Sequence, residues 1–135
     1  MSNTKTFTLG AETYNVARAS AVAQDEVFSL LTQPLTQRLA MAAKNQKSSE
    51  PDEAVLVFMM MALPYQLKEK IDGLIMSRIS IAGRDDFVSI RDFDGKVMEY
   101  NKLRAKVLRW NLEGFFTYWA EENRAAIEAM QSQPT

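Results

Sequence analysis

The sequence predicts a mainly α fold: one small domain, residues 1–135, of about four to five helices, with a long C-terminal helix and one or two short β-hairpins. Three observations predict it. From Tyr100 to Met130 the chain has no proline and one glycine, and its apolar residues recur at helical spacing over roughly 200° of arc, wider than the ~100° stripe of a surface helix. The chain before it falls into further helical blocks, punctuated by Pro34, Pro51 and Pro64. Only Lys5 to Val16 and the stretch around Phe87 to Met98 carry the two-residue alternation or turn pairs that mark strands.

In Lys5 to Val16, Phe7 and Leu9 share a face with Tyr14 and Val16, and Gly10-Ala11-Glu12 supplies the turn. Two strands alone are marginal, so this hairpin must lie on the helices. Ser20 is an N-cap for the next helix, which Val22, Phe28, Leu30 and Leu31 make apolar on one side. Pro34 either kinks it or opens a second helix, continued by Leu35, Leu39, Ala42 and Ala43. Residues 44–52 are polar and proline-bearing, and read as a flexible loop. Glu53 to Leu63 is apolar nearly all round, which marks a helix covered on every side by its own chain or by another. Pro64 to about Arg78 is amphipathic: Leu67, Ile71, Leu74 and Ile75 face inward, and Lys68, Glu69, Lys70 and Asp72 face water. Phe87 to Met98, with Asp94-Gly95 as a turn pair, is a second hairpin or an extended run into the last helix. In that helix Tyr100, Leu103, Val107, Trp110, Gly114 and Tyr118 form one line, and Leu108, Leu112, Phe115 and Trp119 a second. Residues 131–135 read as a frayed polar tail.

Composition removes several functions. With no cysteine and no histidine, thiolate and imidazole chemistry are excluded, and so are disulfides and histidine-rich zinc sites. A net charge of −1 gives no overall field for nucleic acid or an anionic membrane, and neither is expected as a partner. No apolar run reaches the ~20 residues that span a bilayer, and the start lacks the pattern of a secretory signal, so a cytoplasmic location is expected. Asp92-Phe93-Asp94-Gly95 has its glycine too early for a calcium loop. Asp85, Asp86, Asp92 and Asp94 have no visible cleft to work in, so no catalytic residue, metal site or cofactor is expected and the chain reads as a non-enzyme. Lys102, Lys106 and Arg109 share a helical face, interleaved with Glu99 and Glu113, and read as solvated.

What remains is a surplus of adaptable apolar surface. Met59, Met60 and Met61 are consecutive, and Phe115, Phe116 and Trp119 are too many aromatics for one neighbouring helix. Methionine and aromatics are the residues that interface centres enrich. These six are therefore the candidate residues for partner binding or self-association.

The opening TFTLGAETYNVARASAVAQDEVFSLL, the central FMMMALPYQLKEKI and the late FVSIRDFDGKVMEYNKLRAKVLRWNLEGFFTYW resemble the tail assembly chaperones of long-tailed (siphovirus) bacteriophages, of the HK97 and lambdoid type. The likeness spans nearly the whole chain and corresponds to the short form of those proteins. It implies a helical, non-enzymatic homo-oligomer acting in the host bacterial cytoplasm and left out of the mature virion. It also implies partners: the tape-measure protein, which the chaperone keeps soluble, and a longer form made by translational frameshifting, through which tail-tube protein is recruited. The other reading of the residues alone is a small helical adaptor or regulator that self-associates through its last helix.

Overall fold

The computed structural model describes residues 3–45 and 53–132, with side chains placed for all of these except 35, 36, 38–45 and 123–132. In chain order the elements are β1 (Thr4–Leu9), β2 (Glu12–Ala17), α1 (Ala21–Asn45), α2 (Glu53–Ala62), α3 (Tyr65–Ile75), β3 (Ile79–Ile81), a 3-10 turn (Ile90–Phe93), α4 (Val97–Asn111) and α5 (Glu113–Ser132). The expected mainly α class is thereby corrected. Five helices pack with a three-stranded antiparallel sheet of order β1-β2-β3, so the fold is mixed α and β, though mostly helical. The expected loop 44–52 begins inside α1, and the expected tail 131–135 begins inside α5; residues 46–52 and 133–135 lie outside the described residues.

The hairpin forms where its alternation places it. Leu9 and Glu12 close a two-residue loop, and Gly10 adopts φ +60°, the left-handed conformation such a loop needs at its first position. Phe7 pairs with Tyr14 and Tyr14 with Ile81, while Val16 pairs with Ile79, so these five share one face of the sheet. That face lies on α4, where Phe7 meets Trp110 edge-on at 6.2 Å. The opposite face is a polar ladder: Thr6 donates to Asn15 Oδ1 at 3.0 Å, and the Thr8 and Thr13 hydroxyls lie 3.4 Å apart.

The third strand falls where the sequence pattern predicts the end of a helix. α3 stops at Ile75, and Ile79-Ser80-Ile81 then alternates for three residues, too short a run to stand out by periodicity. The expected second hairpin is also corrected. Phe87 makes only an isolated bridge to Ser80. Ser89 and Asp92 then form a reciprocal capping box on the 3-10 turn. Asp94-Gly95 makes a type II turn, with Asp94 at φ −56°, ψ 127° and Gly95 at φ +74°. It hands the chain directly to α4.

α4 is the central helix. Tyr100, Leu103, Ala105, Val107, Leu108 and Trp110 are all buried in it. α2 covers it with Leu56, Val57, Met59 and Met60, α3 with Ile71 and Ile75, and α1 adds Val27 and Leu31 to the same core. The predicted single helix from Tyr100 to Met130 is instead two, broken at Leu112. The cause lies across the chain. Arg18 donates to the Trp110 carbonyl at 3.3 Å and to Glu113 Oε1 at 2.7 Å, with its guanidinium 4.6 Å from the Trp110 ring centre. An unbroken helix would give that carbonyl to the N–H of Gly114. Beside it, Asn111 donates to Val107 O at 3.0 Å and accepts the Ala19 N–H at 2.9 Å. Two side chains thus tie the end of α4 to the segment that leads into α1.

Candidate interaction surface

The six candidate residues separate. Met59, Met60 and Phe116 are buried in the chain's own core, Met60 completely. Met61, Phe115 and Trp119 are half-buried. Phe115 packs against Phe28 of α1 with tilted rings 4.6 Å apart, and lies 5.5 Å from Phe116 and 6.4 Å from Trp119. This aromatic cluster fastens the first turns of α5 to α1. The sequence pattern counted too many aromatics for one neighbour because it took α4 and α5 as one rod; the break at Leu112 gives Phe115 and Phe116 a second neighbour.

The apolar side chains that do face outward are others. Phe58 is 64% exposed on α2, Tyr65 73% at the start of α3 and Tyr118 63% on α5. Phe58 lies one turn from both Ala54 and Ala62, all three exposed, so the outer stripe of α2 is apolar without a charge on it. That placement answers the all-round apolar pattern of Glu53 to Leu63: one side meets α4, and the other is open.

Next to this stripe runs a groove of about 490 Å³ between α1 and the α2–α3 corner. Leu30, Gln33 and Pro34 line one wall, and Met59, Leu63 and Leu67 the other. Pro34 sits inside α1 and has no N–H, so the Leu30 carbonyl on this wall lacks the donor a regular helix would give it. Ser29, Gln33 and Gln37 share the lining with these apolar side chains, so the groove is about as polar as it is apolar and suits one face of an amphipathic segment. Only Met59 of the candidate six lines it. Leu30 and Leu67 were readable as apolar positions, but that they face each other across a gap follows from the angle between α1 and α3, which no periodicity reports.

Several polar groups elsewhere are committed to structure. Asp86 pairs with Arg84 at 2.9 Å, and Asp92 accepts the Ser89 N–H at 2.9 Å. Lys106 pairs with Glu53 at 2.8 Å, joining α4 to the start of α2, so it is not part of a free basic stripe. Asp72 does not face water as its helical position implies. It accepts two bonds of 2.7 Å from Arg104, which is only 2% exposed. Arg104 also donates to Asn101 Oδ1 at 2.7 Å and lies 4.7 Å from the Tyr100 ring centre. No cluster of acidic residues fit to hold a metal ion occurs among the described residues, and no described helix is long and apolar enough to cross a membrane.

Fold and surface together define a small, mostly helical protein with a three-stranded sheet and an open groove of mixed polar and apolar lining. Set against known protein families, curated proteins and solved structures, the chain matches none.

Proposed function

We propose that this chain is the short form of a phage tail assembly chaperone: it binds the tape-measure protein, keeps it soluble before the tail tube is built, and helps recruit tail-tube subunits through a frameshifted longer form. On this reading it works as a homo-oligomer in the host cytoplasm, catalyses no reaction and leaves before the virion is complete. The sequence likeness carries the reading, and the groove between α1 and the α2–α3 corner is the observation that supports it structurally. A tape-measure chain exposes repeated apolar helical surface, which aggregates unless covered. A groove lined by Leu30, Met59, Leu63 and Leu67 together with Ser29, Gln33 and Gln37 offers one face of such a helix both apolar and polar contacts.

Co-expression tests it. The cognate tape-measure protein is expected in the soluble fraction with this chain present and in the pellet without it; equal precipitation in both overturns the reading. Leu67→Asp places a charge on the half-buried rim of the groove. It is expected to leave the fold intact and weaken capture of a tape-measure fragment about tenfold or more.

A further inference from the structure

The groove between α1 and the α2–α3 corner has an uneven supply of hydrogen-bonding groups. Pro34 and Pro64 both line it, and neither has an N–H. The Ser29 hydroxyl, on the α1 wall, gives its hydrogen to the Asp25 carbonyl at 3.0 Å and has only lone pairs left to offer. The Leu30 carbonyl adds a further acceptor. A helix carbonyl points along the axis toward the N–H four residues on, and that residue here is Pro34. Leu30 and Pro34 both line the groove, so the oxygen between them lies on its wall. Among the described residues, no N–H or hydroxyl from outside α1 reaches it. From Ser29 to Gln37 this wall runs for about 12 Å, room for two turns of a helix laid beside it. No charged side chain is part of the lining.

We propose that the groove selects its client by an uncharged hydrogen-bond donor. The occupant is an amphipathic helix that sets apolar side chains against Met59, Leu63 and Leu67 and points a glutamine or asparagine amide at the Leu30 carbonyl. Pro34 is then a specificity-determining residue, because it keeps that carbonyl open. This rests on the client-binding reading above and names the face of the client that the groove takes. The chemistry decides between donors. An all-apolar face covers the carbonyl and leaves it unpaired, which costs free energy on binding. A carboxylate meets lone pairs and is repelled. An ammonium supplies the bond but brings a charge into a lining with none to answer it. An amide supplies the bond without the charge. The same proline weakens α1, since an interior proline forfeits a helical bond and crowds the preceding turn. An alanine there would hold the helix better and close the acceptor, so stability and recognition pull in opposite directions at this position.

Two fluorescein-labelled synthetic helices of about 18 residues serve as probes. They share a leucine face and differ at one central position on its edge, glutamine in one and methionine, of similar size, in the other. Fluorescence anisotropy with the whole chain is expected to show the glutamine peptide binding about threefold to tenfold more tightly, the effect of one hydrogen bond to an acceptor otherwise left unpaired. Pro34→Ala restores the N–H that the Leu30 carbonyl lacks. It is expected to raise the melting temperature, to weaken the glutamine peptide by that same factor, and to leave the methionine peptide unchanged. Leu67→Asp is expected to weaken both. Equal affinity of the parent for the two peptides, or binding of neither, overturns the proposal. So does a Pro34→Ala chain that loses both peptides alike, since the groove's shape and not its acceptor would then govern. Indifference of both peptides to Leu67→Asp overturns it as well, by placing them elsewhere. If Pro34→Ala does not fold, the peptide comparison on the parent and on Leu67→Asp decides. Tape-measure solubility is read separately. A parent that solubilises that protein yet treats the peptides alike retains the chaperone reading and overturns only the donor preference. One that selects the glutamine peptide while the tape-measure protein stays in the pellet retains the donor preference and overturns the client.

Discussion

Arg104 is where a single residue decides most. Its guanidinium is held on α4 by two bonds to Asp72 of α3 and one to Asn101, over the Tyr100 ring, in the middle of an apolar core. Breaking such a pair by removing one partner leaves a buried charge without compensation, which costs about 3–5 kcal/mol. Asp72→Ala is therefore expected to lower the unfolding free energy by about 3 kcal/mol or more in urea titration, far beyond an exposed acid's effect. Replacing both partners, as Asp72→Leu with Arg104→Met, is expected to recover most of that loss. A single substitution costing under about 1 kcal/mol would show that the pair is screened like a surface bridge. The sequence did not announce this pair. Arg104 was legible as lying one turn from Tyr100, but Asp72 sits among Lys68, Glu69 and Lys70 on what reads as a water-facing side of α3. Only the docking of α3 on α4 turns that edge inward.

Elements were legible in proportion to how local their causes are. The hairpin was readable because Gly10 and the alternation around it act over a few residues, and α2 and α3 because Pro64 separates them. The break between α4 and α5 was not readable, since its cause, Arg18 on the Trp110 carbonyl, lies across the chain. Gly114 looks like the reason for the break and is not. It lies inside α5, it is exposed, and a Cβ built there meets nothing within 4 Å. Gly114→Ala is accordingly expected to stabilise the chain by about 0.5–1 kcal/mol, the ordinary helical gain over glycine. The break itself should persist, read as an unchanged helical content by circular dichroism. Destabilisation by Gly114→Ala would mean that α5 leaves Leu112 at an angle requiring glycine. The candidate site follows the same rule: its apolar residues were visible one by one, while the groove they line is a product of helix packing.

At the scale of the whole molecule, sheet and helices are held together along one aromatic seam. Tyr14 of β2 stacks with Phe93 at 5.9 Å, and Phe93 meets Tyr100 of α4 edge-on at 4.9 Å. Both tyrosine hydroxyls sit against acids, Tyr14 with Glu99 and Tyr100 with Asp72. Burial first, and then the neighbouring carboxylate, pushes both phenols above the ordinary value of 10.0. The consequence for stability has a definite sign. Below about pH 10 the phenols are protonated in the folded and the unfolded chain alike, and the seam's contribution is full. As pH rises past that value the unfolded chain releases protons that the folded chain still holds. The unfolded state is then favoured, by about 1.4 kcal/mol for each unit separating the two pKa values, until the folded phenols ionise as well. The urea midpoint is expected to hold from about pH 8 to about pH 9.5 and to fall steeply above about pH 10. The comparison that isolates the seam from every other alkaline effect is the double variant Tyr14→Phe with Tyr100→Phe. It keeps the ring packing, gives up about 1 kcal/mol per lost hydroxyl bond at neutral pH, and should show a much shallower alkaline fall. An equally steep fall in that variant would place the alkaline sensitivity outside the seam, and the seam would then be held by ring contact alone.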